Sequence, residues 1–186
     1  MKKTVVRFGL IAGGMLSLLM VLTMGTAKLM GSEISGGIGM AIGYTTMVAS
    51  FIFVHFGIRS YRDTVMGGSV GFWPALRVGL LISLIAAICY SLTWQVVYRT
   101  MLPDYAEKYA EQAVQQAQAK GASAVELEKT RKQMAEFVIN YKNPFYNFAM
   151  TLLEPSPIAL LVSLVSAGAL SRRRRESLST LGSAVS

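Results

Sequence analysis

Four long apolar runs alternate along the chain with short stretches of charged, polar and glycine residues, and this alternation predicts helices that cross a membrane. A hydrocarbon core about 30 Å thick needs roughly 20 apolar helical residues, and a backbone surrounded by lipid must satisfy its own hydrogen bonds, so each run reads as a helix. The first, about residues 8–30, follows Lys2, Lys3 and Arg7. Gly25-Thr26-Ala27 offers a small-residue cleavage site, but the run is longer than a secretory signal core. It is therefore read as a span, with Lys28 reaching to the far interface. Gly31 to Gly37, carrying Ser32, Glu33 and Ser35, predicts a tight polar connection.

The second span, about residues 34–58, opens on Gly36, Gly37, Gly39 and Gly43. Gly39 and Gly43 are spaced Gly-x-x-x-Gly, as are Gly9 and Gly13, which stacks small residues on one face and predicts close approach of the first two helices. A charged hinge follows, and the third span covers about residues 72–98. Pro74 is tolerated in its first turn because the missing donor has no intrahelical partner there. Trp73, Tyr90, Trp94 and Tyr98 stand near its ends, where interfacial aromatic belts form.

Residues 103–142 change character to charged, Ala-rich and Gln-rich sequence with helical spacing. Tyr105, Tyr109 and Val114 mark one weak stripe, which Gly121 ends. Ser123 followed by Glu126 is a capping box, and Leu127, Met134, Val138 and Tyr141 make an apolar seam on the next helix. A helical hairpin outside the bilayer is expected. Asn143-Pro144 closes it, and the fourth span takes about residues 145–171. Either one kinked helix passes through Glu154-Pro155-Ser156-Pro157, or 145–153 lies at the interface and Ser156 caps a fresh helix with Pro157 in its first turn. The kinked span is the preferred reading. Arg172 to Arg175 form a hard stop, and 176–186 reads as a disordered tail. The fold class is all-α and polytopic, with residues 1–175 as one membrane domain.

Composition supports this pattern: the 186 residues are 53% hydrophobic, with a mean hydropathy of +0.45. The net charge of +8 argues for the membrane surface rather than nucleic acid, because the basic residues border the apolar runs and so meet anionic lipid headgroups. Other membrane proteins, or a second copy, are further expected partners. Cys89 is the sole cysteine, which excludes an intrachain disulfide. Four spans place both termini and the hinge on one side. Lys2, Lys3, Arg7, Arg59, Arg62, Arg77 and the four arginines 172 to 175 collect there against only Asp63 and Glu176, so that side is expected to be cytoplasmic.

Within the hinge, Gly57-Ile58-Arg59-x-Tyr61-Arg62-Asp63, then Gly67-Gly68, then Gly71-Phe72-x-x-Ala75-x-Arg77-x-Gly79 resembles the bacterial membrane family catalogued as domain of unknown function 4199. The likeness extends to Pro103-Asp104, Met134, Tyr141-x-Asn143-Pro144, Glu154 near a proline and the basic stop. It implies a four-helix bacterial inner-membrane protein and no assigned activity.

The hinge and interface candidates are Arg59, Tyr61, Arg62, Asp63, Gly67, Gly68, Phe72 and Arg77. Arg59 and Asp63 stand one helical turn apart, so a pair is available, and the remaining arginine offers its planar donor fork to a lipid phosphate or a partner carboxylate. His55 and Arg77 lie near the same interface and are expected to face one another. Glu154 is the one acid placed to be drawn into the bilayer, where it would bind a proton or cation. One His, one Cys and the absence of metalloprotease, nucleophile-elbow and phosphate-loop motifs argue against an enzyme, and no metal or cofactor is expected. An envelope accessory or scaffold protein is the leading expectation. The alternative is a small transporter or channel subunit that uses His55, Arg77 and Glu154 within an oligomeric bundle.

Overall fold

The computed structural model describes the backbone of residues 1–29 and 36–184, with side chains for 1–29 and 41–171. The described residues form seven helices in order: α1 Lys2–Leu29, α2 Gly36–Thr64, α3 Phe72–Thr100, α4 Tyr105–Ala119, α5 Ala124–Tyr141, α6 Pro144–Leu153 and α7 Ser156–Ala184. No strand occurs among the described residues. Among the described residues four segments are long and apolar enough to cross a membrane: Lys2–Leu29, Ala41–Thr64, Phe72–Thr100 and Pro144–Ser171. Leu18, Leu22, Val48, Ile52, Leu84, Leu92, Leu161 and Val165 are exposed on their outer faces. An apolar exterior of this extent is compatible with a multi-pass membrane protein, since soluble chains rarely expose one.

Half of the best apolar window of α3 is buried, against a third or less in the other three segments, so α3 is the central helix. Around it, Leu16 and Ala12 of α1, Phe51, Val54 and Ile58 of α2, Val78, Ile82 and Ala86 of α3, and Ala159, Ala167 and Leu170 of α7 form one core. The closest approach is between α1 and α3. A Cβ added at Gly9 would lie 2.7 Å from Cβ of Ile85, one at Gly13 would lie 2.7 Å from Cβ of Cys89, and one at Gly25 would meet Met101. Between them Thr93 Oγ1 donates to Ser17 Oγ at 2.9 Å. Each of these pairs is 76 positions apart, so the two helices run parallel in constant register. The Gly9 and Gly13 face is therefore spent on α3. A Cβ at Gly43 would meet nothing within 4 Å, which leaves the expected glycine-to-glycine packing of the first two helices unformed at that residue. Gly39 and the connection 31–35 lie outside the residues whose surroundings are described.

Two helix limits differ from the sequence reading. Helix α2 continues past residue 58 to Thr64, because Ile58 to Thr64 contains no glycine or proline and Arg59 and Asp63 pair across one turn. The fourth segment, Pro144–Ser171, bends where α6 ends at Leu153: Pro155 and Pro157 each withhold a ladder donor, while Glu154 keeps right-handed helical angles (φ −55°, ψ −51°). Ser156 does not cap α7, since its hydroxyl turns back to donate to the Leu152 carbonyl at 3.2 Å. Finally, the α7 backbone runs on through 176–184, where a disordered tail is expected from composition. Extending a helix that is already nucleated is easy, and no proline intervenes. Residues 185–186 lie outside the described residues.

Candidate functional site

The hinge is built by the end of α2. Val65 N and Met66 N both donate to the Tyr61 carbonyl, and Gly68 N donates to the Arg62 carbonyl at 3.0 Å, so the last turn closes on itself. Gly67 (φ +63°) and Gly68 (φ +92°) then reverse the chain with backbone angles that side chains with a Cβ resist. Phe72 begins α3, whose N-cap Gly71 supplies no side-chain cap and whose first turn has no acid. Tyr61 and Val70 are buried in the core below the turn. Arg77, in the second turn of α3, is exposed.

Arg59 and Arg62 divide one carboxylate between them. Arg62 Nε donates to Asp63 Oδ1 at 2.6 Å, and Arg59 Nε lies 3.7 Å from Oδ2. The sequence reading anticipates the second pair, and the structure makes the first the tighter one. Their exposures differ greatly: the Arg59 side chain is 58% exposed and that of Arg62 only 7%. Arg62 Nη1 is buried with no hydrogen-bond partner among the described residues. A guanidinium that is removed from water and pairs through one edge only is costly to leave so.

A second constellation lies at the opposite end of the bundle, and the sequence reading does not assemble it. Trp94 Nε1 donates to the Tyr141 hydroxyl at 2.9 Å in a buried setting. Gln95 Nε2 donates to Asn147 Oδ1 at 2.8 Å, and buried Thr151 donates to the Asn147 carbonyl. Tyr105 stands edge-on to Trp94 with ring centroids 4.9 Å apart, and Tyr109, Phe137 and Tyr141 continue the array between α4 and α5. Lys142 Nζ to Glu107 Oε1 at 2.9 Å closes the same pair of helices. Burial pushes the Tyr141 hydroxyl up to about 12, and it raises Tyr105 as well. The hydrogen bond from Lys142 holds Glu107 below the ordinary carboxylate range. The α4–α5 pair is thus fastened to α3 and α6 by rings and paired polar groups. The sequence signal was available: Trp94 and Tyr98, Tyr105 and Tyr109, and Phe137 and Tyr141 each repeat aromatics one turn apart.

The three residues of the transport alternative are not gathered within one chain. His55 is half-buried against Phe56, edge to face at 6.0 Å, and the cations acting on it are Arg59 and Arg62 of its own helix rather than Arg77. Glu154 accepts from the Tyr90 hydroxyl at 3.2 Å. Tyr90 stands about 20 Å further along α3 than Arg77 at 1.5 Å per residue. Among the described residues no group of three His, Cys, Asp or Glu side chains is placed to hold a metal ion.

A family model described as protein of unknown function (DUF4199) matches residues 7–172. No curated protein and no solved structure matches the chain.

Proposed function

The chain belongs to the family of proteins of unknown function (DUF4199), and we propose that it is an accessory or scaffold protein of the bacterial inner membrane, non-catalytic and multi-pass. Both termini and the 65–71 turn face the cytoplasm in this reading, and the α4–α5 pair stands outside as a surface for other envelope components. One observation carries the proposal. The α4–α5 pair is fastened to the bundle through the Trp94–Tyr141 hydrogen bond and the surrounding rings, as a rigid platform needs and a passive connector does not. Its outward surface presents Val125, 80% exposed, and Ile139, 71% exposed, among charges.

The orientation rests on the excess of basic residues at the hinge end. Reporters fused at Gly68 and after Arg175 should report cytoplasm and one at Gly121 the opposite side; a periplasmic signal from Gly68 sinks the topology. For the role itself, a photo-cross-linking residue at Val125 or Ile139 in native membranes should give discrete adducts with other envelope proteins. A probe at lipid-facing Leu161 should not. The adducts should survive His55→Gln, Arg77→Gln and Glu154→Gln. Absence of adducts from both helix positions, together with ion or solute flux that these three substitutions abolish, would replace the scaffold with the transport subunit.

A further inference from the structure

The buried guanidinium of Arg62 has more donors than the chain satisfies. Arginine carries five N–H donors in a rigid fork. Asp63 accepts from Nε, its second oxygen is shared with Arg59, and among the described residues Nη1 has no partner. Arg59 beside it is mostly exposed, so this helix end carries excess positive charge around a single carboxylate. Across the turn, α3 begins with Gly71 as an uncapped N-cap and no acid in its first turn, and Phe72 and Trp73 carry N–H groups with no intrahelical acceptor. The positive end of the α3 dipole thus faces the same end of the bundle. The turn between them is uncrowded on its outer side, since a Cβ at Gly67 or Gly68 would meet nothing within 4 Å. Exposed Trp73 stands at the same level, as a side chain at a headgroup boundary does.

We infer that Arg62, with Arg59 and the uncapped start of α3, forms a binding site for the phosphodiester of an anionic phospholipid. Phosphate oxygens match the guanidinium fork, and a headgroup at the interface delivers them where the unmet donors lie. This site depends on the chain's insertion in a bilayer and not on its acting as a scaffold. Its failure would leave the platform reading untouched.

The test uses the full chain in detergent micelles doped with phosphatidylglycerol or, as control, phosphatidylcholine. Thermal stability and lipid retention in native mass spectrometry are the readouts. Phosphatidylglycerol should stabilise the wild type more than phosphatidylcholine does, and Arg62→Gln should bind it about tenfold more weakly, the loss of one charge-assisted hydrogen bond. Arg99→Gln, at the other end of α3, should bind as wild type does. Asp63→Asn removes the competing carboxylate and should strengthen binding. A merely structural Arg62 does not predict that gain, and this variant decides the matter if Arg62→Gln fails to fold. Unchanged phosphatidylglycerol selectivity in Arg62→Gln, or binding by Asp63→Asn no stronger than wild type, overturns the site. Equal stabilisation by inorganic phosphate at the same concentration overturns the lipid as its source.

Discussion

Adding one methyl group at Gly13 should separate two helices that the same methyl at Gly14 leaves undisturbed. At Gly13 the new Cβ would fall 2.7 Å from Cβ of Cys89 and 3.1 Å from Cα of Ala86, while at Gly14 nothing lies within 4 Å. Carbon atoms rest about 3.5–4.0 Å apart, so α1 and α3 must part by about 1 Å to admit Gly13→Ala. Neither obstacle is the far end of a flexible side chain, so no rotamer change relieves it. Overpacking of this kind costs about 1–3 kcal/mol, and the better helix propensity of alanine returns up to about 1 kcal/mol. A net loss of up to about 2 kcal/mol is expected for Gly13→Ala, and no loss or a slight gain for Gly14→Ala. On a chain of this length the loss lowers the melting temperature by up to roughly 8 °C, measurable by thermal denaturation in detergent. Cys89→Gly removes the nearest obstructing atom and should restore part of the loss in the double variant. Should Gly13→Ala and Gly14→Ala melt together at or above wild type, the close packing of α1 on α3 is refuted.

Tyr141→Phe removes the acceptor of the Trp94 indole and leaves a buried donor unpaired, so it should destabilise by about 1–3 kcal/mol and increase proteolysis between α4 and α5. Gly68→Val meets open space but must hold a φ of +92°, so its accumulation in membranes should fall well below that of Lys129→Ala, and equal accumulation would show the turn to be indifferent. Ser123→Ala breaks both arms of a complete capping box and should lower the helicity of a 103–142 peptide, at about 1 kcal/mol for the lost cap, as read by circular dichroism. Glu107 is held below its usual range by Lys142, so its contribution is present above the unfolded carboxylate range and lost as pH falls through the lowered folded value. Acid should therefore loosen the α4–α5 pair in hydrogen exchange, and Glu107→Gln should abolish that dependence.

Local signals carried most of the architecture. Apolar runs of spanning length placed all four segments, and Ser123 with Glu126 marked the start of α5 because a capping box involves only four consecutive residues. What sequence could not supply was partner choice. Gly-x-x-x-Gly names a face and not the helix that covers it, and Gly9 and Gly13 take α3 although α2 is nearer along the chain. The hinge pair shows the same limit. Arg59 and Asp63 are legible as one turn apart, whereas the burial of Arg62 depends on the packing beneath the turn. The aromatic array was likewise written as three pairs in three helices, and only their docking brings the Trp94 indole to the Tyr141 hydroxyl.

The constant register of α1 and α3 also fixes a delay during synthesis. Each contact face on α1 meets a partner made 76 residues later, as the Ser17 and Thr93 pair records. At 5–20 residues per second, the ribosome delivers Ile85 and Cys89 about 4–15 s after Gly9 and Gly13. For that interval lipid, the translocation machinery, the chain's own α2 or a passing helix must fill the glycine groove on α1. A helix from another protein bearing small residues at four-residue steps would compete for the groove in those seconds, and slower translation between the second and third spans would lengthen the exposure.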